Sequence, residues 1–277
     1  PSSAASDVYK RQLYGNTLYV ANDAPGHYSL EVFDVSSGNV RHVKSMVEWM
    51  NGDKKETFAG EPNGVTRSYG KIYVTNTGSR TDVFDAETYE FITCIGTGTW
   101  GEGGYQTVHA FDVTASQGAV FIRDKRKLVV VLEQDVQPGS AARVPIYSRS
   151  VNLQEAMGTY AVAARNDGFL YVTAQNKNII YLFDPADIRA GDTGFAPYLV
   201  TLGFEKSPQS IAFVGDRLFV TLRVDDKRSE LWEISPKNGK LLQDFTDSMV
   251  YPEKIAGARH TLLVVDRATQ TVKAIGL

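Results

Sequence analysis

The stretch Pro62–Ile95, PNGVTRSYGKIYVTNTGSRTDVFDAETYEFITCI, contains four short runs of strand-forming residues. The runs are Pro62–Ser68, Lys71–Asn76, Thr81–Asp85 and Phe91–Ile95. They are rich in β-branched and aromatic residues and are separated by Gly, Asn, Asp and Ser, which favour turns. A four-stranded meander of this kind leaves two faces and two edges uncovered, so it is not expected to be stable alone. The stretch therefore predicts one sheet that packs against others like it.

The pattern of the second run recurs along the whole chain. Its central aromatic or aliphatic residue, followed by Val or Ile, is found at Tyr19, Tyr73, Phe121, Tyr171, Phe219 and Leu263. A repeat of about 40–50 residues with four strands in each unit is typical of a β-propeller. We therefore predict an all-β protein, a β-propeller of six blades with about four antiparallel strands each, or seven blades in a longer chain.

Three segments resemble the YVTN/NHL-type propeller repeat. The strongest is GKIYVTNTGSRTDVFDAET, at 70–88, and weaker copies lie at 167–186 and 215–235. The resemblance covers about Leu13–Leu277 and implies fold more than function, because one fold supports many activities. Some proteins of this family act at bacterial cell surfaces and capture nutrients such as cobalamin. The resemblance thus implies an exported protein, located in the periplasm, on the outer-membrane surface or outside the cell.

The first twelve residues are interpreted separately from the fold. Asp7–Gln12 (DVYKRQ) is what the DNA sequence GAT GTG TAT AAG AGA CAG encodes, which matches the end of a transposon adapter used in sequencing libraries. We expect residues 1–12 to be non-native, and any signal peptide or lipid anchor to have been lost with the native N-terminus.

Domain boundaries follow from the repeat. We predict one propeller domain at 13–277, with blades at about 13–61, 62–106, 107–157, 158–206, 207–250 and 251–277. The last blade lacks a fourth strand. The first blade ends in a long insert, Ser45–Glu61, that shows no strand pattern. Inserts of this length are uncommon unless they are functional or mobile.

Composition excludes several classes of site. The net charge of −3 disfavours a general nucleic-acid binder. The 277 residues contain no apolar run near the roughly 18 residues that a membrane-spanning helix needs. The single cysteine, Cys94, excludes an intramolecular disulfide and a cysteine-rich zinc site, and is expected to be a packed core residue.

Candidate ligand-binding residues come from the propeller geometry, in which first strands line a central channel. Their starts place five polar side chains at one mouth: Asn63, His109, Tyr160, Gln209 and Glu253. Basic residues of the loops between second and third strands should lie on the same face, among them Arg80, Arg126 and Arg223. Aromatic residues in the loops between blades, namely Trp49, Trp100 and Tyr105, are suited to stacking on a planar ligand. Each set also has a structural explanation: wetted channel residues, a solvated rim, or loops packed onto blades.

The sequence carries no convincing catalytic pattern. The four histidines lack metal-ligand spacing, and we assign no catalytic residue and no definite metal site. We predict a non-catalytic binding propeller without a cofactor, which takes a small molecule, a glycan or a protein at the channel mouth. One alternative is a calcium-dependent propeller hydrolase or lactonase, with Glu253 and Asn63 as incomplete matches to the expected calcium ligands. A protein-interaction scaffold is the third hypothesis.

Overall fold

The strands form six antiparallel sheets of three or four strands, and one two-stranded ribbon, in the part of the chain that the structure, a computed structural model, describes. The described residues are 10–24, 26–36, 40–96, 98, 107, 109–124, 128–138, 161–184, 200–258 and 260–277. The chain divides into two units, Pro1–Ser148 and Arg149–Leu277. Each unit holds three of the sheets, which we number in chain order.

The first unit contains sheets one to three and a two-stranded ribbon. Sheet one is formed by β1 (Lys10–Tyr14), β2 (Thr17–Asn22), β3 (Ser29–Asp34) and β4 (Arg41–Met46), and the ribbon by β5 (Glu48–Asn51) and β6 (Lys54–Thr57). Sheet two is formed by β7 (Pro62–Ser68), β8 (Lys71–Asn76), β9 (Arg80–Asp85) and β10 (Phe91–Ile95). The described strands of sheet three are β11 (Ala110–Ser116), β12 (Ala119–Asp124) and β13 (Leu128–Leu132).

The second unit repeats the same plan. Sheet four is formed by β14 (Val162–Ala164), β15 (Leu170–Ala174), β16 (Ile179–Phe183) and β17 (Val200–Gly203). Sheet five is formed by β18 (Ser207–Val214), β19 (Arg217–Arg223), β20 (Ser229–Ile234) and β21 (Leu241–Asp244). Sheet six has three described strands, β22 (Pro252–Ala258), β23 (Thr261–Asp266) and β24 (Thr271–Gly276).

Every sheet is a simple up-and-down meander in which sequence neighbours pair. Within the first unit, the first strand β7 packs against the first strands β1 and β11. Within the second unit, β18 packs likewise against β14 and β22. The second strands carry the core, because all six residues of β12 and five of the six in β8 are buried. Strands that are buried on both faces give nearly continuous apolar runs, which is why the repeat is visible in the sequence.

Tight turns join the first and second strands of sheets two and three. Tyr69 and Gly70 have φ angles of 53° and 72°, and Gln117 and Gly118 have 49° and 76°. Two successive positive φ values are those of a type I′ turn, whose twist matches that of paired strands. The Tyr69 hydroxyl also accepts a 2.6 Å hydrogen bond from the Gly118 N–H, so the two turns hold each other.

The prediction that the insert Ser45–Glu61 has no strand pattern was wrong, because this segment contains the β5–β6 hairpin. Its strands are only four residues long, and four of their eight residues are charged, so they lack the alternation that identifies a strand. The turn residues Gly52 and Asp53, directly after Asn51, were the available signal. Trp49 of β5 is buried, not exposed for stacking as predicted. Its ring stacks on Phe91 at 5.8 Å and meets Phe84 edge-on at 5.0 Å, so the hairpin is packed onto sheet two.

The first strand of sheet one begins within residues 1–12, which are predicted to be non-native. Lys10 pairs with Ala21 and Tyr14 with Thr17, so β1 covers the edge of β2. Strand pairing uses backbone groups and demands little of side chains, so an extended segment of almost any sequence can take this place. The adapter origin of residues 1–12 stays a prediction.

Candidate functional site

The same backbone irregularity recurs at the start of four first strands. The register with the second strand shifts between Pro62 and Gly64, between Ala110 and Asp112, between Pro208 and Ser210, and between Pro252 and Lys254. Each shift is a β-bulge with one extra residue, and bulges commonly re-aim a side chain beside a functional site. The extra residues are Asn63, Phe111, Gln209 and Glu253.

Three of these four residues were predicted at the channel mouth, but the prediction for sheet three was wrong. Ala110 pairs with Asp124 as Pro62 pairs with Asn76, so the equivalent of Asn63 is Phe111 and not His109. The sequence alignment placed His109 there by allowing extra residues, whereas the backbone register places it two residues earlier. The His109 ring instead lies edge-on to Phe111, with centroids 5.9 Å apart.

Asn63 of the first unit is half-buried, and its side chain already makes a local contact. Its amide nitrogen donates a 3.0 Å hydrogen bond to the carbonyl of Glu61, the residue before β7. This bond stabilises the entry into the bulge. Asn63 therefore has a structural role.

In the second unit, Gln209 and Glu253 occupy equivalent bulges on neighbouring first strands. Gln209 is 7% exposed, and no described residue hydrogen bonds to its amide oxygen. The Glu253 side chain is 14% exposed, and its Oε1 lies 3.7 Å from Nη1 of Arg267. The buried amide of Gln209 thus lies at the bulge of one first strand. The nearly buried carboxylate of Glu253, with the Arg267 guanidinium beside it, lies at the bulge of the next first strand.

One hydroxyl links the two bulges. Thr221 Oγ1 accepts a 3.1 Å hydrogen bond from the Ser210 N–H and donates one of 3.0 Å to the carbonyl of Glu253. Ser210 Oγ in turn accepts a 3.2 Å hydrogen bond from the Ile255 N–H. Because Ser210 follows Gln209 directly, these bonds place the backbone of Gln209 beside that of Glu253. The threonine of the repeated YVT pattern was the sequence signal for this link, but no role was predicted for it.

Asp266, at the end of β23, positions the start of β22. Its carboxylate accepts hydrogen bonds of 2.9 Å each from the N–H groups of Val250 and Tyr251. Burial acts to raise the pKa of Asp266, but these N–H donors and the charge of Lys273 outweigh it, so the pKa lies below its usual value. The next residue, Arg267, reaches back towards Glu253. The end of β23 therefore positions Arg267 and also the backbone that leads to Glu253.

Arg80 does not belong to an exposed basic rim, contrary to the prediction. Its side chain is 13% exposed, and Nη1 lies 2.9 Å from Glu56 Oε2 while Nε lies 2.6 Å from Asp82 Oδ1. Nη2 also donates to the carbonyl of Thr57 at 3.0 Å. The β5–β6 hairpin covers this residue, which sequence analysis missed because it missed the hairpin. Arg80 therefore fastens the hairpin to sheet two.

The same cluster contains two buried acidic groups. Burial raises the pKa of Asp82 to about 7, although the adjacent Arg80 charge opposes the shift. Cys94 is buried as predicted, and burial together with the Asp82 carboxylate raises the pKa of its thiol to about 11. A thiol with a raised pKa is a poor nucleophile, so Cys94 acts as a core residue.

Of the remaining five predicted ligand-binding residues, the structure describes only Arg223. Arg223 is half-buried and forms an ion pair with Asp226 of its own loop, so local acidic residues neutralise part of this charge. Trp100, Tyr105, Arg126 and Tyr160 lie outside the described residues.

A cluster of Ser45, His42 and Glu31 on sheet one resembles a hydrolytic triad only in composition. His42 Nε2 lies 2.8 Å from Glu31 Oε2 and 3.1 Å from Ser45 Oγ. A relay needs the carboxylate and the serine on opposite ring nitrogens, but here both meet the same one. This arrangement does not activate Ser45. Nor does any group of three His, Cys, Asp or Glu residues within the described ranges stand where it could hold a metal ion.

Comparisons with known proteins identify the fold. A search of the solved structures finds the β-propeller domain of Cps50 (Swd1) from Myceliophteria thermophila, with a TM-score of 0.60 and 10% sequence identity. The match covers 100% of this chain and 98% of that one. This chain has a β-propeller fold. No protein-family model and no curated protein matches the sequence.

The propeller contains no described helix that is long and apolar enough to cross a membrane. The number of described sheets is roughly that of the predicted blades, and a WD40-like propeller is one structural neighbour. At such low identity, the likeness concerns architecture and carries no function from one protein to the other.

Proposed function

We propose that this propeller is a non-catalytic binding protein and that its ligand contacts the paired bulges of the second unit. The observation that carries the proposal is the Gln209 amide oxygen, which is buried and lacks a hydrogen-bond partner among the described residues. Burying an unpaired polar group costs about 1–3 kcal/mol, so a hydrogen-bond partner for this oxygen would stabilise the protein. A ligand that donates a hydrogen bond to this oxygen offsets that cost.

The position of the amide supports a binding role. Gln209 is the extra residue of a bulge, and the adjacent bulge presents Glu253. Thr221 fixes the two backbones relative to each other through hydrogen bonds of 3.1 and 3.0 Å. Polar groups that a rigid backbone already holds in position favour ligand binding, because the conformational entropy lost on binding is smaller.

The contacts around Glu253 favour this function over a calcium-dependent hydrolase. Calcium takes oxygen ligands and is repelled by a neighbouring cation. The Arg267 guanidinium lies 3.7 Å from the carboxylate that would have to hold the ion. A protein-interaction scaffold stays the third hypothesis, and export to a cell surface stays a prediction from the family resemblance.

Thermal unfolding in the presence of a ligand panel tests the proposal. The panel contains amino acids, monosaccharides, a corrinoid, and calcium chloride with a chelator as its reference. A ligand that binds only the folded state raises the melting temperature. At a ligand concentration of a hundred times its Kd, the folded state gains about 2.7 kcal/mol of stability. We expect a shift with at least one organic ligand, and we expect Gln209→Met to abolish it. The matched control is Gln243→Met, on the exposed strand β21.

Two results would contradict the proposal. One is a calcium-dependent shift that Glu253→Gln removes, which would favour the hydrolase. The other is a panel in which no ligand produces a shift that depends on Gln209.

A further inference from the structure

One guanidinium faces two carboxylates where the β5–β6 hairpin meets sheet two. Arg80 Nη1 lies 2.9 Å from Glu56 Oε2 of the hairpin, and Arg80 Nε lies 2.6 Å from Asp82 Oδ1 of sheet two. The Asp82 side chain is fully buried, and the other two are nearly buried. With both carboxylates ionised, the group carries an excess negative charge away from water, which is costly. A proton on one of the two carboxyl groups removes this charge.

Asp82 is the carboxyl group that holds the proton more readily. Glu56 Oε1 lies 3.3 Å from the exposed Nζ of Lys54 and 3.3 Å from the amide nitrogen of Asn51, and both contacts stabilise the Glu56 carboxylate. Burial acts to raise the pKa of Glu56, but these hydrogen bonds and the Arg80 charge outweigh it, so this pKa lies below its usual value. At Asp82 burial is the larger effect, and it raises the pKa to about 7.

The groups that act on Asp82 come from four strands. They are Arg80 on its own strand β9, Glu56 on β6, the Cys94 thiol on β10 and the Asn76 amide on β8, whose nitrogen donates a 2.9 Å hydrogen bond to Asp82 Oδ2. Of these four, Glu56 belongs to the hairpin. The position of the hairpin therefore decides how much negative charge and how much water the Asp82 carboxyl meets.

We propose that the β5–β6 hairpin is a pH-sensitive clasp, which is closed on sheet two while Asp82 is protonated and opens as Asp82 gives its proton to solvent. Opening removes the Glu56 charge and admits water. The open form therefore favours the Asp82 carboxylate, and the closed form favours the acid. This inference concerns the first unit and does not depend on the ligand proposed for the second.

The direction of the pH effect follows from the pKa of Asp82 in the two forms. This pKa is about 7 in the closed form and falls towards its usual value of 3.8 when the hairpin opens. The stability that the proton gives to the closed form is complete below pH 3.8 and is lost as the pH rises through about 7. Between these values, each pH unit raises the ratio of open to closed form by up to about tenfold, and above them the ratio is constant.

The aromatic contacts of Trp49 define what opening exposes. The Trp49 ring of β5 is buried, stacks on Phe91 at 5.8 Å and meets Phe58 and Phe84 edge-on at 4.9 and 5.0 Å. The Arg80 guanidinium lies 5.9 Å from the centre of the same ring. Opening carries Trp49 away from Phe84 and Phe91 of sheet two. An apolar surface that is covered in acid is thus exposed at neutral pH.

Hydrogen–deuterium exchange of the whole chain tests the clasp. A detached two-stranded hairpin is marginally stable, so the amides of residues 48–57 lose protection once it opens. Protection factors correct for the intrinsic pH dependence of exchange and are compared at pH 5, 7 and 8.5. We expect the protection of the hairpin amides to fall by at least about tenfold from pH 5 to pH 7, and by much less from pH 7 to pH 8.5. At pH 7 these amides should be less protected than those of β8, because the hairpin opens without unfolding the sheet.

Variants assign the response to the carboxyl groups. Asp82→Asn conserves the size of the side chain and removes its titration, so hairpin protection should no longer depend on pH. Glu56→Gln leaves one cation with one carboxylate, so the fall in protection should move to lower pH. The matched control is Glu48→Gln, which alters an exposed ion pair with Lys55 on the same hairpin and should keep the wild-type response.

The carbon-13 resonance of the Asp82 carboxyl gives a second measurement on the wild-type chain, so the test does not depend on the folding of the variants. A titration midpoint near 7, together with the fall in hairpin protection, is the expected result. A midpoint below about 5, close to the usual value for aspartate, overturns the clasp. Equal hairpin protection at pH 5 and pH 7 also overturns it, as does an undiminished fall in Asp82→Asn. Equal protection of the hairpin and β8 at pH 7 would mean that the hairpin opens only by global unfolding, and this result rejects the clasp as well.

Discussion

Thr221 and Glu253 belong to different sheets, yet the Thr221 hydroxyl donates a 3.0 Å hydrogen bond to the Glu253 carbonyl. The same hydroxyl accepts from the Ser210 N–H of its own sheet at 3.1 Å. One side chain thus satisfies two backbone groups that the bulges remove from regular pairing. Buried backbone groups must find such partners, so the position depends on a hydroxyl.

Replacing Thr221 with valine keeps the shape of the side chain and removes both hydrogen bonds. We expect Thr221→Val to lower stability by about 1–3 kcal/mol, because a buried N–H and a buried C=O are left unpaired. For a chain of this size, that loss corresponds to a melting temperature lower by several degrees. The control is Thr261→Val, at the start of β23. Equal melting temperatures for Thr221→Val and the wild type would show that the link does not stabilise the fold.

Gln209 should show the opposite behaviour. A buried amide oxygen without a partner lowers stability. Gln209→Met, which conserves length and removes this oxygen, is therefore expected to raise the free energy of unfolding by about 1 kcal/mol. Urea denaturation measures this change. A variant that is less stable than the wild type would show that the amide serves the fold, and this result would count against a binding role.

Asp82 predicts a particular pH dependence. Its pKa is raised to about 7 by burial, so between its unfolded value of 3.8 and about 7 the folded state binds more protons than the unfolded state. Stability from this group is therefore present below pH 3.8 and is lost as the pH rises through about 7. We expect the stability difference between Asp82→Asn and the wild type to grow in favour of the variant as the pH rises from 5 towards 8. A constant difference would mean that Asp82 is ionised throughout.

Asp266 predicts the opposite sign. Its pKa lies below the usual value of 3.8, because backbone N–H groups and the Lys273 charge outweigh the effect of burial. The stability that it contributes is present above pH 3.8 and is lost as the pH falls through its lowered pKa. Asp266→Asn should be less stable than the wild type at pH 7, and the difference should shrink in acid. Unfolding curves at pH 7 and pH 3 compare the two.

Arg80 offers a test of the β5–β6 hairpin. Its guanidinium contacts Glu56 of the hairpin and Asp82 of sheet two, and all three side chains are nearly buried. Removing one member of such a group leaves an uncompensated buried charge, so Arg80→Met should cost about 3–5 kcal/mol. The double variant that adds Asp82→Asn should recover part of this loss. If Arg80→Met alone has no effect, the hairpin is held by the Trp49 ring contacts.

The fold follows from the sequence where burial is complete. The bounds predicted for Pro62–Ser68, Lys71–Asn76 and Phe91–Ile95 are those of β7, β8 and β10. The pattern is clearest in β8, since a strand that is buried on both faces shows as an apolar run. The β5–β6 hairpin was missed because its strands are only four residues long and lack an alternating pattern. The YVTN/NHL type of the repeat stays a prediction, whereas the propeller fold is confirmed by the likeness to a solved propeller.

The candidate site was predictable only in part. Asn63, Gln209 and Glu253 were found because each follows a proline at the same distance from its second strand. Phe111 was missed because its sheet has alanine at that position, so the alignment passed to His109. Arg267 and Thr221 were missed for another reason. The Thr221 hydrogen bond joins two sheets, and Arg267 contacts Glu253 from the position directly after β23. The spacing of the repeat indicates neither contact.

The location of the binding site is tested most directly by amide chemical shifts. Spectra of the ¹⁵N-labelled chain, recorded as a ligand identified by the panel is added, report which backbone groups change. We predict that the largest shifts occur at Gln209, Ser210, Glu253 and Arg267. Saturating shifts that are confined to other strands, such as β4 or β21, would contradict the proposed site.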